Sequence, residues 1–223
     1  LGIKDSRMDS GIQGIMKLSY SNKLSPEIIG NYTKIIFKNR LEVIGGRKTE
    51  EINKSENSNT ERIDLEQYSN IIKTANRAYD MVFVDLDNGL DENYKRDILE
   101  ISNIVVWNLE QQYDEIEEIL EFKQNNPIID DKKIIYLINK YEKNSKYNLK
   151  NITRNSKIKK NLYAIPYDVM LSDAVQDGDL ASWILTPQIR NAKPLDEHGT
   201  LINETKKLCD GIIMNLHELH VMK

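Results

Sequence analysis

Cysteine is almost absent from this sequence, since Cys209 is the single one in 223 residues. An internal disulfide is therefore excluded, and a reducing, cytoplasmic environment is expected. Long apolar runs are missing as well, because no stretch approaches the ~18–20 consecutive apolar residues that a membrane-spanning helix needs. We accordingly expect no transmembrane segment and no secretory leader.

An excess of positive charge is also lacking, because 31 basic residues face 35 acidic ones and the net charge is −4. This balance argues against a protein that coats nucleic acid with its whole surface. The length is enough for one sizeable domain with its own core and short for two. We therefore predict a single domain over residues 1–223.

The sequence does contain short apolar runs that alternate with segments of helical periodicity. The runs are near-continuous, which is typical of strands covered on both faces. They are Leu41–Ile44, Met81–Asp85, Ile104–Trp107, Lys133–Ile138 and Leu162–Ile165. Helical stripes pass through residues 65–75, 113–120 and 201–219. Strands alternating with helices predict a three-layer α/β/α domain around a mostly parallel sheet.

A glycine pair follows the first run, in Val43-Ile44-Gly45-Gly46-Arg47-Lys48-Thr49. A phosphate-binding loop needs a further glycine five residues before the second one, and Leu41 stands there instead. No apolar stripe follows, so no packed helix is available to face the phosphates. We interpret the segment as a strand ending in a tight glycine turn. Residues 49–62, which are polar and aperiodic, predict a mobile surface loop.

Polar residues follow three of the predicted strands where each strand ends. Asp85 closes the second run and Gly89 lies in the loop after it, while Asn139 follows the fourth run and Pro166-Tyr167-Asp168 the fifth. Because the carboxyl ends of parallel strands border one crevice, we expect these residues to converge on a ligand site. An amide side chain suits a purine edge. An acid such as Asp85 is also typical of a helix cap or a turn.

In this order, the segments YDMVFVDLDNG, SNIVVWNLEQ, IIYLINKY and AIPYDVMLSDAVQDG resemble the MinD/ParA family of deviant-Walker ATPases. The likeness is nearest to the CpaE/TadZ-like members associated with pili and secretion, and it covers nearly the whole chain. It implies a P-loop-NTPase-like fold, ATP with magnesium as cofactor, and a homodimeric, nucleotide-dependent switch. Such a switch positions a pilus, a secretion apparatus or DNA-partition machinery, so association with a membrane or cell pole through partners is implied.

The resemblance also implies a role for each candidate residue. Asp85 would order the magnesium ion through a bound water, and Gly89 would sense the terminal phosphate. Asn139 together with Pro166, Tyr167 and Asp168 would hold the adenine. The usual prolines of the loop after Asp85 are replaced by Leu86-Asp87-Asn88. The extra carboxylate there would repel phosphates unless a cation compensates for it.

The family's first strand, its lysine-bearing phosphate loop and its second strand have no counterpart in these 223 residues. We therefore do not expect this chain alone to hydrolyse ATP, because the phosphates would lack their amide cradle and their lysine. Two interpretations stay open. The chain is the bulk of an ATPase domain whose phosphate loop is encoded upstream of Leu1, or it is a complete, non-catalytic scaffold that uses the same surfaces for protein contacts.

Charge is unevenly distributed along the chain. Residues 140–161 hold eight basic residues and one acidic residue, whereas residues 110–121 hold six acidic residues and no basic one. The stretch Lys140–Lys160 predicts either a surface for DNA or an anionic membrane, or a solvated basic face. The two charged segments could also attract each other or a partner.

The last predicted helix carries the remaining candidates. His217 and His220 are spaced for a metal pair, but a plain helix surface is the expected interpretation. Cys209 has no histidine partner that the sequence suggests, so we do not expect a nucleophile. Four residues of this helix are expected to pack on the sheet, namely Cys209, Ile212, Ile213 and Leu216, and a membrane-surface anchor is the alternative for the helix.

Overall fold

The computed structural model of the chain describes residues 11–45, 58–86, 92–126, 129, 133–193, 196 and 198–221. The protein is a mixed α/β chain that divides into two compact units between Ile101 and Ser102. The two units are described separately below, and the single domain over residues 1–223 stays a prediction. Within the described ranges, no helix combines the length and the apolar character that crossing a membrane requires.

The amino-terminal unit is mainly helical. Its elements are α1 (Ile12–Tyr20), α2 (Pro26–Ile29), a 3-10 turn (Gly30–Tyr32), β1 (Lys34–Phe37), β2 (Leu41–Val43), α3 (Ser58–Ala78) and α4 (Glu92–Ile101). Helix α3 contacts α1, α2 and α4. The core is formed where these helices meet, by Ile15, Met16, Ile29, Ile71 and Ala75. Ile71 and Ala75 lie one turn apart, as the apolar stripe over residues 65–75 predicted.

Helix α3 corrects one boundary of the sequence analysis. Residues 58–62 are helical, so the mobile loop predicted over 49–62 is wrong for its last part. The rest of that predicted loop, residues 49–57, lies outside the described residues. The first turn of α3 is polar, so it shows no apolar stripe although it belongs to the same amphipathic helix. The absence of a stripe was therefore interpreted as a loop.

The strand predicted at Leu41–Ile44 is present as β2, but its pairing differs from the prediction. β2 pairs antiparallel with β1, a strand that the sequence analysis did not identify. The two form a separate two-stranded sheet. Asn39 takes a positive φ of 58° in the connection between them. Asparagine is one of the residues that tolerate this conformation, so a tight hairpin forms here.

The strand predicted at Met81–Asp85 is wrong, since residues 81–86 have no strand pairing. Val82 packs against the helical core of the unit, whereas Phe83 is 70% exposed and Val84 is 41% exposed. A strand requires a neighbour for its backbone hydrogen bonds and cover for its apolar faces. The described residues supply no strand partner to this segment, and they leave Phe83 and Val84 exposed.

The carboxyl-terminal unit contains the sheet. Its elements are β3 (Ile104–Leu109), α5 (Tyr113–Asn125), β4 (Lys133–Tyr141), α6 (Leu149–Asn155), β5 (Leu162–Pro166), α7 (Val169–Gln176), α8 (Leu180–Ile184), α9 (Pro187–Arg190) and α10 (Gly199–Val221). The strand order is β3-β4-β5, and both pairs are parallel. The parallel sheet is thus confirmed for three of the five predicted strands. Residues 134–138 of the central strand are all buried.

Helices cover both faces of this sheet. On one face, the ring of Trp107 meets Phe122 of α5 edge-to-face, with centroids 5.5 Å apart. On the other face, Tyr163 lies against Gly211 of α10. Trp107 is in register with Tyr136, and Tyr163 is in register with Leu137. Since Tyr136 and Leu137 are successive residues of one strand, their side chains point to opposite faces, and so do those of Trp107 and Tyr163.

Helix α10 was predicted, and of its four residues expected to pack on the sheet, Ile212 and Leu216 are half-buried. Gly211 and Asn215, one turn apart, are buried, whereas Cys209 is exposed and Ile213 is 44% exposed. The Asn215 amide donates to the Gly211 carbonyl at 2.8 Å, and the Asn161 amide donates to the Asn215 amide oxygen at 3.2 Å. Gly211 is buried because it is small, and Asn215 is buried because its side chain is hydrogen-bonded. Neither residue is apolar and large, so the apolar stripe of the sequence did not predict their burial.

Candidate functional site

The carboxyl edge of the parallel sheet brings two asparagines together. Asn108 lies near the end of β3, and Asn139 near the end of β4. The Asn139 amide donates to the Asn108 side-chain oxygen at 3.1 Å. Asn108 is exposed and Asn139 is half-buried. The pair thus presents amide groups at the edge where ligands of open parallel sheets bind, and each amide has both donors and an acceptor.

A β-bulge shapes this edge beside Asn139. Ile138 is in register with Ala164, but the next paired residue, Tyr141, is opposite Pro166. Strand β4 therefore has one residue more than β5 over this interval, which is the geometry of a bulge. Lys140 has a positive φ of 50° there. A bulge redirects the neighbouring side chains, so the position of Asn139 depends on this local irregularity.

The loop after β4 is braced by a residue that the sequence analysis did not single out. Gln111, just after β3, donates to the carbonyl oxygens of Glu142 and Tyr147 at 3.0 Å each. Its side-chain oxygen accepts from the Glu142 backbone amide at 2.8 Å. One side chain thus holds two neighbouring strand ends together. A glutamine in a polar loop has no sequence signal for this role.

Pro166, Tyr167 and Asp168 differ from one another in exposure and contacts. Pro166 is half-buried at the end of β5, and Tyr167 is 57% exposed beside it. Asp168 is the N-cap of α7, and its Oδ1 accepts from the Leu171 backbone amide at 2.9 Å. Because β4 and β5 are parallel neighbours, Pro166 and Asn139 lie at the same edge of the sheet.

The second oxygen of Asp168 has a partner far away in sequence. Asp168 Oδ2 is 2.6 Å from Nδ1 of His198, and both side chains are about nine-tenths buried. The His198 ring also meets Trp183 edge-to-face at 5.8 Å. Asp168 thus fixes the start of α7 and ties it to the start of α10. This role differs from adenine contact, and no local pattern pointed to His198.

Replacing Asp168 by asparagine tests this contact. Asparagine caps helices as well as aspartate does, so only the charged bond to His198 is lost, and we expect about 1 kcal/mol less stability. The same change at Asp173, exposed on the same helix, is the matched control and should have little effect. Urea unfolding at neutral pH measures both. Equal stability of the two variants would contradict a contribution from the bond.

The residues assigned to magnesium and phosphate, Asp85 and Gly89, do not belong to the unit that contains this edge. Asp85 is exposed in the amino-terminal unit, and Gly89 lies outside the described residues. Across the described residues, no group of three or more His, Cys, Asp or Glu side chains could hold a metal ion. Asp85 therefore offers a single carboxylate, which suits contact through a metal-bound water but not a protein cage. His217 likewise belongs to no such group.

The amino-terminal unit has a polar cluster of its own. Glu42 Oε2 accepts from the Thr33 hydroxyl at 2.6 Å and from the Tyr79 hydroxyl. The Thr33 and Tyr79 hydrogen bonds lower the pKa of Glu42. Burial, and then the bond to Glu42, raise the pKa of Tyr79. The carboxylate thus links the hairpin to the end of α3, which is a structural role.

A shallow groove of about 290 Å³ lies between α7 and α8 in the carboxyl-terminal unit. Three aspartates and two apolar side chains are prominent in its lining: Asp173, Asp177, Asp179, Met170 and Trp183. It is distinct from the asparagine pair, since none of the candidate nucleotide residues lines it.

No family model, curated protein or solved structure matches this chain. The similarity to the MinD/ParA family therefore rests on the ordered sequence segments alone.

Proposed function

We propose that this chain belongs to a MinD/ParA-like, nucleotide-dependent switch in which the carboxyl edge of the β3-β4-β5 sheet holds the purine base of ATP. The observation that supports it is the Asn139–Asn108 amide pair at the ends of parallel strands, 3.1 Å apart. In this proposal, the fold is a degenerate P-loop-NTPase domain. It positions pilus, secretion or DNA-partition machinery as a homodimer.

Each residue at the edge has a chemical role in the proposal. Asn139, held by Asn108, hydrogen-bonds the base, since an amide pairs with both donors and acceptors. Exposed Tyr167 and half-buried Pro166 would lie against the flat purine, while Asp168 holds the start of α7 through its cap and His198. Asp85 and Gly89 would serve magnesium and phosphate. Hydrolysis is not part of the proposal for this chain, because it contains no phosphate loop.

A non-catalytic scaffold is the second candidate, and exposed apolar side chains favour it. Several large apolar residues on the two helices that follow β5 are about half exposed. They are Val169, Met170, Val175, Ile184 and Leu185, on α7 and α8 or immediately after. Clustered exposed apolar side chains mark protein contacts more often than small-ligand sites. In this case, partners bind here whether or not nucleotide is present.

Ligand-observed NMR with millimolar ATP and magnesium distinguishes the two candidates. The nucleotide proposal predicts saturation transfer to the adenine protons, and weak binding because the phosphates have no cradle. Asn139→Ala should weaken binding about 3–10-fold, the effect of one lost hydrogen-bonding group. Asn144→Ala, an exposed asparagine in the loop after β4, is the matched control and should bind as the parent does. No transfer to adenine in the parent chain would overturn the nucleotide proposal and leave the scaffold.

A further inference from the structure

The hydrogen bond between the two asparagines of the carboxyl edge has a direction, and that direction fixes what each side chain offers to a ligand. The Asn139 Nδ2 group donates to Asn108 Oδ1 at 3.1 Å, a normal length for such a bond. A side-chain amide has two N–H donors on its nitrogen and two lone pairs on its oxygen. Asn139 therefore keeps its oxygen and one N–H for a further partner.

The backbone holds the two asparagines within reach of each other. Asn108 is in register with Leu137, which lies two residues before Asn139, so alternation along the strand puts both asparagines on one face. Gln111 ties the end of β3 to backbone groups of the loop after β4 through three hydrogen bonds. The distance between the two strand ends is thus set by contacts other than the asparagine pair.

The strand order decides which group of Asn139 faces the proposed base. Strand β4 lies between β3 and β5, with Asn108 on the β3 side and Pro166 and Tyr167 on the β5 side. The Asn139 nitrogen is directed toward β3. Because an amide carbon is trigonal, the oxygen is directed away from β3, toward the side on which β5 ends. The side of Asn139 next to Pro166 and Tyr167 consequently presents a hydrogen-bond acceptor.

An acceptor at this position discriminates between purines. Adenine carries an amino group at position 6 beside a ring nitrogen that accepts, and an asparagine side chain matches this pair with two hydrogen bonds. A 6-oxopurine, such as guanine or hypoxanthine, carries an oxygen at position 6. Two acceptors would then face each other, and neither would have a donor. If the Asn139 amide were turned over, its nitrogen would face the base and the 6-oxopurine would be favoured instead.

Asn108 is the group that keeps the Asn139 amide from turning over. Among the described residues, the Asn139 side chain forms no hydrogen bond other than the one to Asn108. Turning Asn139 over would place its oxygen against the Asn108 oxygen and would lose this bond. Without Asn108, the two orientations of the amide would differ little in energy.

We propose that Asn108 is a positioning residue that makes this edge selective for adenine over 6-oxopurines, by fixing the direction of the Asn139 amide. The inference rests on the proposed nucleotide site and adds the residue that decides between bases. Asn108 acts through Asn139 and needs no contact of its own with the nucleotide.

Saturation-transfer NMR titrations with magnesium and either ATP or inosine triphosphate (ITP) measure this selectivity on the full chain. The base of ITP has a 6-oxo group and a protonated N1, and both bases carry the H2 and H8 protons that are observed. We expect the unchanged chain to bind ATP about 5–10-fold more tightly than ITP, a modest ratio for a two-bond amide match because Asn108 is exposed to water. Asn108→Ala should bring the two affinities within about 2-fold of each other.

Two further variants separate orientation from other effects. Asn108→Asp keeps an acceptor toward the Asn139 nitrogen, so it should retain the preference for ATP. Its added charge acts on both triphosphates alike and cancels in the ratio of affinities. Asn103→Ala is the matched control, since Asn103 is an exposed asparagine just before β3, at the other edge of the sheet, and the ratio should not change.

The outcomes distinguish this inference from the proposed function. If the unchanged chain binds neither nucleotide, both are overturned. If it binds ATP but binds ITP at least as tightly, the nucleotide site stands and the role of Asn108 is overturned. A preference for ATP that survives Asn108→Ala, that is lost in Asn108→Asp, or that is lost equally in Asn103→Ala would overturn that role as well.

Discussion

Ile135→Ala is expected to lower the free energy of unfolding of the carboxyl-terminal unit by about 2–5 kcal/mol. Ile135 lies in the middle of the central strand and is fully buried. Truncation removes three carbon atoms from a packed interior, and the strand cannot move into the space because β3 and β5 hold it on both sides. The cost is therefore both the lost burial and the cavity that stays behind.

Tryptophan fluorescence during urea unfolding measures this effect for the relevant unit alone. The chain has two tryptophans, and both, Trp107 and Trp183, lie after Ser102. Ile213→Ala makes the same chemical change at a residue that is 44% exposed, so it should cost well under half as much. A loss below about 1 kcal/mol for Ile135→Ala would mean that the central strand is not packed as described.

Gly211→Ala is expected to destabilise the protein by about 2 kcal/mol, although alanine is the better helix former. A Cβ atom at this position would lie 2.0 Å from the Tyr163 hydroxyl oxygen and 2.5 Å from the ring carbon that carries it. Tyr163 extends from β5, and its ring is rigid, so relief requires moving the side chain or the whole of α10. The overlap outweighs the gain of about 1 kcal/mol in helix propensity.

Partner variants identify the cause. Tyr163→Phe removes the hydroxyl but leaves the ring carbon, so Gly211→Ala should still be costly in that background. In a Tyr163→Ala background, the same glycine change should be neutral or stabilising, because its overlap is gone. Asp210→Ala, at an exposed position of the same helix, controls for helix propensity and should not destabilise. If Gly211→Ala stabilises the otherwise unchanged protein, the close approach of α10 to the sheet is wrong.

Local pattern predicted most elements of the carboxyl-terminal unit. The runs at 104–107, 133–138 and 162–165 all form parallel strands, and the stripes at 113–120 and 201–219 form α5 and α10. The three strands were predictable because parallel strands are covered on both faces, and their near-continuous apolar composition indicates this. Met81–Asp85 has a similar composition but no neighbouring strand among the described residues, so composition alone was misleading.

The candidate site was predictable only in part. Asn139 and Pro166 lie at one edge because parallel strands end on the same side, a rule that a sequence suffices to apply. The Asn108 partner, the Gln111 brace and the bulge at Lys140 depend on strand register. Asp168 illustrates the limit, since the resemblance assigned it to adenine whereas its partner His198 lies 30 residues away in the sequence.

The sequence by itself determined the helical stripes at 65–75, 113–120 and 201–219, three of the runs that form the parallel sheet, and where positive charge concentrates, because each follows from neighbouring residues. The tertiary structure decided which strands have partners, which face of α10 meets the sheet, and which side chains meet at the carboxyl edge. These depend on contacts between distant residues, and Gly211 shows the reason. It is placed by the ring of Tyr163, which no periodicity in its own helix encodes.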